Sequence, residues 1–317
     1  MTTLTLITSD KWWLSSHPSP ALPHGVPRHQ VRTQEMTPDI CIYHANCDDG
    51  FAAAYAVWKR FGDAVKYVPR QYGDDAPDVS DKDVLIVDFS FKAPIMEDLS
   101  RRARRVIVLD HHKTAEAELA GFTQLQCVGG PFEKRHADRL VSGVGVCFNM
   151  EKSGCRLAWE YCFGSAPMPE WFEAVEDRDL WRFQLRATKE ICIAIRSMPR
   201  DFELWDMFTA ERLANEGVTI RRYVDMIVNN ICDTAFEEEI AGHRVPVAAC
   251  SYDFVSETAH QLLYRNPNAP FAACVVRSYN GVTYSLRSMD DRMDVSEIAQ
   301  AKGGGGHRNA AGFRVPA

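Results

Sequence analysis

Acidic and histidine side chains recur in this sequence directly after short apolar runs, where they could bind a metal ion together. Four aspartates and three histidines follow three such runs: His44, Asp48 and Asp49; Asp88; and Asp110, His111 and His112. One aspartate after a strand commonly caps the next helix, but this many ionisable residues at three strand ends favour a metal or catalytic cluster. Carboxylate and imidazole together suit manganese, iron, cobalt, zinc or magnesium.

The apolar runs predict the elements that must position these residues. Segments 40–43, 84–87 and 106–109 are continuous apolar runs, typical of strands that are covered on both faces. Helical patterns at 51–61 and 94–105 separate them, and this alternation predicts a parallel α/β sheet. Because ligands bind beyond the carboxyl ends of such strands, the three groups should meet at one sheet edge.

Carboxylates at that edge could serve two cations at once. Two metal ions about 3.5–4 Å apart lower the pKa of a water and neutralise charge on a phosphoryl oxygen. Neither a Ser–His pairing nor a Walker-type phosphate loop in the sequence offers a competing chemistry. The pattern therefore favours hydrolysis of a phosphoester.

A second chemical signal lies near the end of the chain, where four glycines at 303–306 precede His307. Consecutive glycines let backbone N–H groups form a nest around an anion, and a flexible linker is the alternative. The helical and apolar patterns on either side of the glycine run favour packed structure over a linker. Strands are predicted earlier in this region, at 245–249, 271–278 and 282–287. Asn280-Gly281 between the last two strands is a strong hairpin signal.

Length and composition set broad limits on the protein. The chain has 317 residues and a net charge of −7, which suggests roughly two domains and disfavours a protein that coats duplex DNA. No apolar run reaches the about 18 residues of a membrane span. The ten cysteines contain no Cys-x-x-Cys pair, which disfavours a structural zinc site and predicts a reduced, cytoplasmic protein.

Three segments follow from these patterns. Residues 1–36 are rich in proline and histidine and lack periodicity, so they are predicted to be a loose tail; an alternative is that Met36 is the true start. Residues 37–235 are predicted to form the catalytic domain, with a mostly helical linker from about 153 onwards. Residues 240–317 are predicted to form a smaller α/β domain with a mixed sheet.

Together these motifs resemble the DHH superfamily of phosphoesterases with its DHH-associated C-terminal domain, over about 280 residues. The two most specific motifs are Asp110-His111-His112 after a strand and the Gly-Gly-Gly-His run at 304–307. Within the superfamily, the chain resembles the short branch of oligoribonuclease or nanoRNase type. The resemblance implies two Mn²⁺ ions, with Mg²⁺ or Co²⁺ as alternatives, and a substrate held across a cleft.

The resemblance also implies roles for individual residues. The implied metal ligands are His44, Asp49, Asp88, His111 and Asp177, with Asp179 as the alternative to Asp177. The implied catalytic residues are Asp110 and His112. The implied substrate-binding residues are Arg287, Gly304, Gly305, Gly306 and His307.

One position departs from the family pattern. Cys47 stands where a second carboxylate of the first motif is expected. Three alternatives follow: Asp48 replaces that ligand, Cys47 itself binds the metal as a thiolate, which disfavours magnesium there, or Cys47 is an inert buried thiol. The implied function is hydrolysis of short single-stranded oligonucleotides or linear dinucleotides to nucleoside monophosphates, with a homodimer allowed. Polyphosphate hydrolysis and a non-catalytic nucleotide-binding module are the alternatives.

Overall fold

A computed structural model describes residues 36–126, 140, 142–279 and 281–316, which build two six-stranded sheets with helices packed against them. We call the first sheet and its helices the N-terminal lobe, and the second sheet and its helices the C-terminal lobe. Residues 1–35 of the predicted tail at 1–36 lie outside the described residues. Met36 is described and is buried in the core of the N-terminal lobe.

The sheet of the N-terminal lobe is parallel throughout, in the order β2-β1-β3-β4-β6-β5. Its strands are β1 (Ile40–His44), β2 (Lys66–Arg70), β3 (Asp83–Val87), β4 (Arg105–Asp110), β5 (Thr123–Gln124) and β6 (Gly143–Phe148). Successive residues of β3 and β4 face two separate apolar cores, one on each side of the sheet. Both faces must therefore be apolar, which explains the continuous hydrophobic runs and confirms the predicted α/β fold.

Helices cover both faces of this sheet and continue beyond it. They are α1 (Asp48–Phe61), α2 (Ala93–Arg102), α3 (Lys113–Glu118), α4 (Gly154–Phe163), α5 (Glu170–Asp179), α6 (Thr188–Arg196), α7 (Phe202–Asp206) and α8 (Ala210–Asp233), with a 3₁₀ turn at Gly62–Ala64. The mostly helical stretch expected from about 153 to 233 corresponds to α4 through α8. Among the described residues, no helix has the length and apolar character that crossing a membrane requires.

The sheet of the C-terminal lobe is mixed, as predicted, with the order β11-β12-β10-β9-β8-β7. Its strands are β7 (Phe236–Ile240), β8 (His243–Ala249), β9 (Ala272–Ser278), β10 (Gly281–Arg287), β11 (Gly305–His307) and β12 (Ala310–Val315), and its helices are α9 (Val255–Arg265) and α10 (Val295–Ala301). A short 3₁₀ helix, Tyr252–Phe254, precedes α9. Ser278 lies opposite Gly281 in the β9–β10 hairpin; Asn280 itself lies outside the described residues.

Two sequence-based expectations change with the structure. Eight cysteines among the described residues are free thiols, but Cys147 is disulfide-bonded, which corrects the expectation of reduced cysteines throughout. The apolar-run criterion also missed β7, because Phe236–Ile240 carries three glutamates and is largely exposed at the sheet edge. The domain boundary predicted at 235–240 stays a prediction.

Candidate metal centre

The carboxyl ends of β1, β3 and β4 bring a group of ionisable side chains together, of which Asp49, Asp88 and His111 are buried. His111 Nε2 lies 3.1 Å from Asp88 Oδ1, 3.6 Å from Asp49 Oδ2 and 3.5 Å from Asp179 Oδ2. His44 Nδ1 lies 3.5 Å from Asp88 Oδ2. We call these five residues the strand-end cluster; they join three adjacent strand ends to the first turn of α1 and the last turn of α5.

The strand-end cluster places three carboxylates around one buried imidazole, that of His111. Burial lowers the pKa of His111, but its hydrogen bond to Asp88 and the charges of Asp179 and Asp49 outweigh this and raise it to about 10. Burial, with Asp88 and Asp179 nearby, raises the pKa of Asp49 well above its usual value. The three carboxylates thus converge on a point that requires positive charge.

Asp88 occupies the centre of the cluster in an unusual backbone conformation. Its φ is 53°, a left-handed value that aspartate tolerates better than most residues. A Cβ at Gly154 would lie 2.4 Å from the Cβ of Asp88, so only glycine allows α4 to approach this closely. Burial opposes ionisation of Asp88, but His111 and His44 hold its pKa well below its ordinary value.

The N-terminus of α4 orients Asp49, a contribution that the strand-end pattern does not predict. The backbone N–H groups of Gly154 and Cys155 donate to Asp49 Oδ2 and Oδ1 at 2.6 and 3.0 Å. Free N–H groups at a helix start favour a carboxylate. The available signal was Ser153-Gly154 before a helical pattern, since Ser153 caps α4 by accepting from the Arg156 N–H.

Asp110 and His112, the residues predicted to be catalytic, form a hydrogen-bonded pair beside the cluster. Asp110 Oδ1 lies 2.7 Å from His112 Nδ1 and also accepts from the backbone N–H of His111 at 2.7 Å. Asp110 is fully buried. It therefore orients the His112 ring and the peptide that carries His111, a supporting role typical of carboxylates next to metal-binding histidines.

The structure does not bring Asp177 into the strand-end cluster, although the sequence favoured it over Asp179. Its carboxylate accepts from the backbone N–H groups of Gln184 and Leu185 and from the Thr188 hydroxyl. These bonds hold the turn that follows α5. Positions two apart on a helix point in different directions, so only Asp179 faces His111.

Asp48 and Cys47 occupy different places in the first motif. Asp48 accepts from Arg196 Nε at 3.2 Å and from Arg200 Nη2 at 3.0 Å, so its carboxylate is turned toward two arginines. Cys47 directly precedes α1, and burial together with the charge of Asp88 raises the pKa of its thiol well above the usual value. The alternative in which Asp48 replaces the missing ligand thus finds no support in the geometry.

The donor atoms of this region fit a divalent cation. Among the described residues, three groups of three donors have ligand atoms within 4.8 Å of one another: Asp49, His111 and Asp179; His44, Asp88 and His112; and His111, His112 and His307. His44 Nδ1 and Asp88 Oδ2 are buried without a hydrogen-bond partner among the described residues. Since buried polar atoms are rarely left unsatisfied, these orphaned atoms are consistent with ligands for a metal.

The C-terminal lobe contributes one ring directly to this region. The His307 ring stacks on His112 at 4.5 Å between centroids and lies 4.7 Å from His111. Burial, followed by the charges of the two neighbouring imidazoles, lowers the pKa of His307 well below its usual value. A neutral His307 therefore faces the centre from the opposite lobe.

The glycines before His307 serve close packing, and their amides are largely occupied. The Gly304 N–H donates to the Ala299 carbonyl at 2.8 Å, and the Gly306 N–H donates to Thr114 Oγ1 at 3.3 Å. A Cβ at Gly304 would lie 2.0 Å from the Gly312 carbonyl oxygen. The expected anion nest at Gly304, Gly305 and Gly306 therefore lacks two of its three donors.

A cleft between the two lobes leads to the strand-end cluster. It has a volume of about 210 Å³ and is lined by His44, Asp49 and Asp179 together with groups from both lobes. The cationic residues along it are Arg178, Arg196, Arg200 and Arg287. Arg287 donates to Ser256 Oγ at 2.8 Å and, among the described residues, has no carboxylate partner.

Carboxylates engage the other three arginines of this cleft. Arg178 pairs with Glu257 at 2.6 Å, and Arg196 bridges Asp48 of the N-terminal lobe and Glu257 of the C-terminal lobe. A second contact joins Lys113 to Asp294 at 2.7 Å. These pairs tie the two lobes together around the cleft.

Known proteins resemble this chain to different degrees. No protein-family model matches it. It is 30% identical over 313 residues to the uncharacterized protein R106 of Acanthamoeba polyphaga mimivirus, a match that covers 90% of this chain and 69% of that protein. It is 28% identical over 232 residues to Oligoribonuclease NrnB of Bacillus subtilis, covering 67% of this chain and 53% of the relative. The match to NrnB thus spans about half of that relative's length.

Among solved structures, one similar chain is the DHH domain of a protein from a family of ribosomal proteins. The superposition has a TM-score of 0.49 and 12% sequence identity, and covers 87% of this chain and 82% of the other.

Proposed function

The chain belongs to the DHH superfamily of phosphoesterases, and from that premise we propose that it is a divalent-metal-dependent phosphodiesterase that hydrolyses short single-stranded oligonucleotides or linear dinucleotides to nucleoside monophosphates. The observation that carries the proposal is the position of the strand-end cluster, three of whose members, His44, Asp49 and Asp179, line a cleft between the two lobes. A confined cleft favours a short, flexible substrate over a duplex. NrnB, by its name, acts on oligoribonucleotides.

In this proposal the metal ligands are His44, Asp49, Asp88, His111 and Asp179, with the Asp88 carboxylate between His44 and His111. Ions held there would lower the pKa of a water and neutralise charge on the phosphoryl oxygen. We propose Mn²⁺ as the resident ion, with Mg²⁺ or Co²⁺ as alternatives, because a mixed carboxylate and imidazole set suits these metals.

The chain's own residues position the substrate. Asp110 fixes the orientation of His112, which faces the attacked phosphate together with His307. Arg287 offers a guanidinium without a described carboxylate partner at the cleft wall, a group that binds phosphate through two parallel hydrogen bonds. Because of this arginine we assign the C-terminal lobe to the DHH-associated type. We assign its glycine run to close packing and not to phosphate binding. A cytoplasmic location and a homodimer stay predictions.

The test is a hydrolysis panel with Mn²⁺, Mg²⁺ and Co²⁺ after removal of bound metal by a chelator. The substrates are single-stranded oligomers of two to five nucleotides, a long single strand, a duplex, cyclic dinucleotides and polyphosphate. We expect monophosphate release that is fastest with the shortest linear oligomers and absent without metal. Phosphate release from polyphosphate alone would replace the proposal with a phosphoanhydride hydrolase, and binding without turnover would favour a nucleotide-binding module.

A further inference from the structure

Two exposed tyrosines flank the strand-end cluster, and neither has a role in the proposed hydrolysis. Tyr72 is 51% exposed and Tyr252 is 66% exposed. Tyr72 belongs to the loop after β2 in the N-terminal lobe, and Tyr252 opens the 3₁₀ helix before α9 in the C-terminal lobe. Tyr252 lines the interlobe cleft, whereas Tyr72 contacts the rings of His44 and His112.

Tyr252 presents its ring to the cleft. It lines the same cavity as His44, Asp49 and Arg287. No hydrogen bond or ring contact joins its side chain to another described residue. Its ring can therefore accept a planar partner without breaking an existing contact.

Tyr72 approaches the cluster through its ring edges. Its centroid lies 5.6 Å from that of His44 and 5.9 Å from that of His112, both nearly perpendicular, at 66° and 79°. Phe89 supports the ring at 5.1 Å. The side chain is thus held against two residues of the centre while half of its surface stays open.

A dinucleotide has one phosphodiester with a base on either side. If the phosphate lies at the strand-end cluster, each base extends away from it, one toward each lobe. Aromatic rings are the usual platforms for single-stranded bases, because every base offers a π-face. Resting on the proposed function, we infer that Tyr72 and Tyr252 each stack one base of a dinucleotide and thereby set the preference for short substrates.

The test pairs each tyrosine with each base. The variants are Tyr72→Leu and Tyr252→Leu, which keep apolar bulk without a ring, and Tyr72→Phe and Tyr252→Phe, which keep the ring. Tyr264→Leu is the matched control, because Tyr264 is 68% exposed and does not line the cleft. The substrates are an intact dinucleotide and its two forms that lack the 5′ or the 3′ base.

Each leucine variant should raise KM for the intact dinucleotide about 5- to 100-fold and leave kcat within about twofold, since stacking acts on ground state and transition state alike. Removal of one base should abolish the effect of one tyrosine, and removal of the other base the effect of the other. The phenylalanine variants and the control should behave like the parent. Equal effects on all three substrates, or coupling of both tyrosines to the same base, would overturn the inference.

A binding measurement separates this inference from the proposed function. A non-hydrolysable dinucleotide with 2-aminopurine at one position loses fluorescence when that base stacks, with no need for turnover. We expect the parent and the phenylalanine variants to quench the 2-aminopurine fluorescence. One of the two leucine variants should leave that fluorescence unquenched. Absence of dinucleotide hydrolysis by the parent with every metal would refute the proposed function, whereas hydrolysis with quenching unchanged in both leucine variants would refute only the stacking role.

Discussion

The strand-end cluster and the interlobe cleft differ in how the chain assembles them. Four members of the cluster lie at or just after the ends of β1, β3 and β4, which are adjacent in one parallel sheet. The cleft collects its arginines from α5, α6, the turn after α6 and β10. Sheet formation alone brings the first set together, whereas the second set also requires the two lobes to dock. Substitutions in the cluster should therefore affect chemistry, and substitutions around the cleft should affect docking and affinity.

The largest effect is expected for Asp88→Asn. Asparagine keeps the shape of the side chain and tolerates the positive φ of 53° at this position, but it removes the charge between His44 and His111. We expect a loss of kcat/KM of about 100-fold or more in steady-state hydrolysis, and loss of the stabilisation by Mn²⁺ in a thermal-unfolding assay.

Asp75→Asn is the control for that change, because Asp75 is an exposed aspartate of the same lobe and should leave both readouts unchanged. Full activity of Asp88→Asn would show that the cluster is not the catalytic centre.

Asp177 and Asp179 allow a sharper test within one helix. Asp179→Asn should lower kcat about 10- to 100-fold and leave the free energy of unfolding unchanged, since its carboxylate faces His111. Asp177→Asn should lower the free energy of unfolding by about 1–3 kcal/mol, because it weakens three bonds to the turn after α5.

Urea denaturation and single-turnover hydrolysis measure the two quantities separately. The reverse pattern, with Asp177 controlling turnover and Asp179 controlling stability, would restore the preference that the sequence indicated.

The pH dependence of the unfolding free energy of Glu257→Gln should show how much the charge of Glu257, which pairs with arginines between the lobes, stabilises the protein. Burial opposes the charge of Glu257, but Arg178 and Arg196 outweigh it and lower its pKa to about 2 from an ordinary 4.5. A lowered folded-state pKa stabilises the protein above the unfolded-state value, and this stabilisation disappears as the pH falls from 4.5 toward 2. The difference in unfolding free energy between parent and variant should thus be constant above about pH 5 and shrink below it.

Denaturant titrations at several pH values would record this difference, with the exposed Glu170→Gln as a control that shows none. A parent-to-variant difference that stays the same from pH 7 to pH 3 would mean that Glu257 does not act through its charge.

The smallest effect is expected for Lys113→Ala, which removes the ion pair with Asp294 between the lobes. The Lys113 side chain is 49% exposed, and exposed ion pairs contribute about 0–1 kcal/mol. Unfolding free energy should fall by less than about 1 kcal/mol and KM should change by less than about twofold. A loss as large as that of Glu257→Gln would place the main docking contact at Lys113 instead of in the cleft.

Much of the N-terminal lobe was predictable because its signals are local. A buried parallel strand must be apolar on both faces, so the runs at 84–87 and 106–109 identify β3 and β4 to within one residue at either end. β7 was missed because edge strands carry charged residues that break the pattern. The N-terminus of α4 was missed as a partner of Asp49 because the two segments are more than a hundred residues apart.

By itself the sequence determined that His44, Asp49, Asp88, Asp110, His111 and His112 lie at one edge of a parallel sheet. These residues follow the carboxyl ends of predicted parallel strands, and in a parallel sheet those ends lie at the same edge. The tertiary structure decided which of Asp177 and Asp179 faces that edge, where Asp48 turns, and that the glycines before His307 pack instead of forming an open nest. Those outcomes depend on helix direction and on contacts between distant segments, and a pattern of residue types along the chain contains neither.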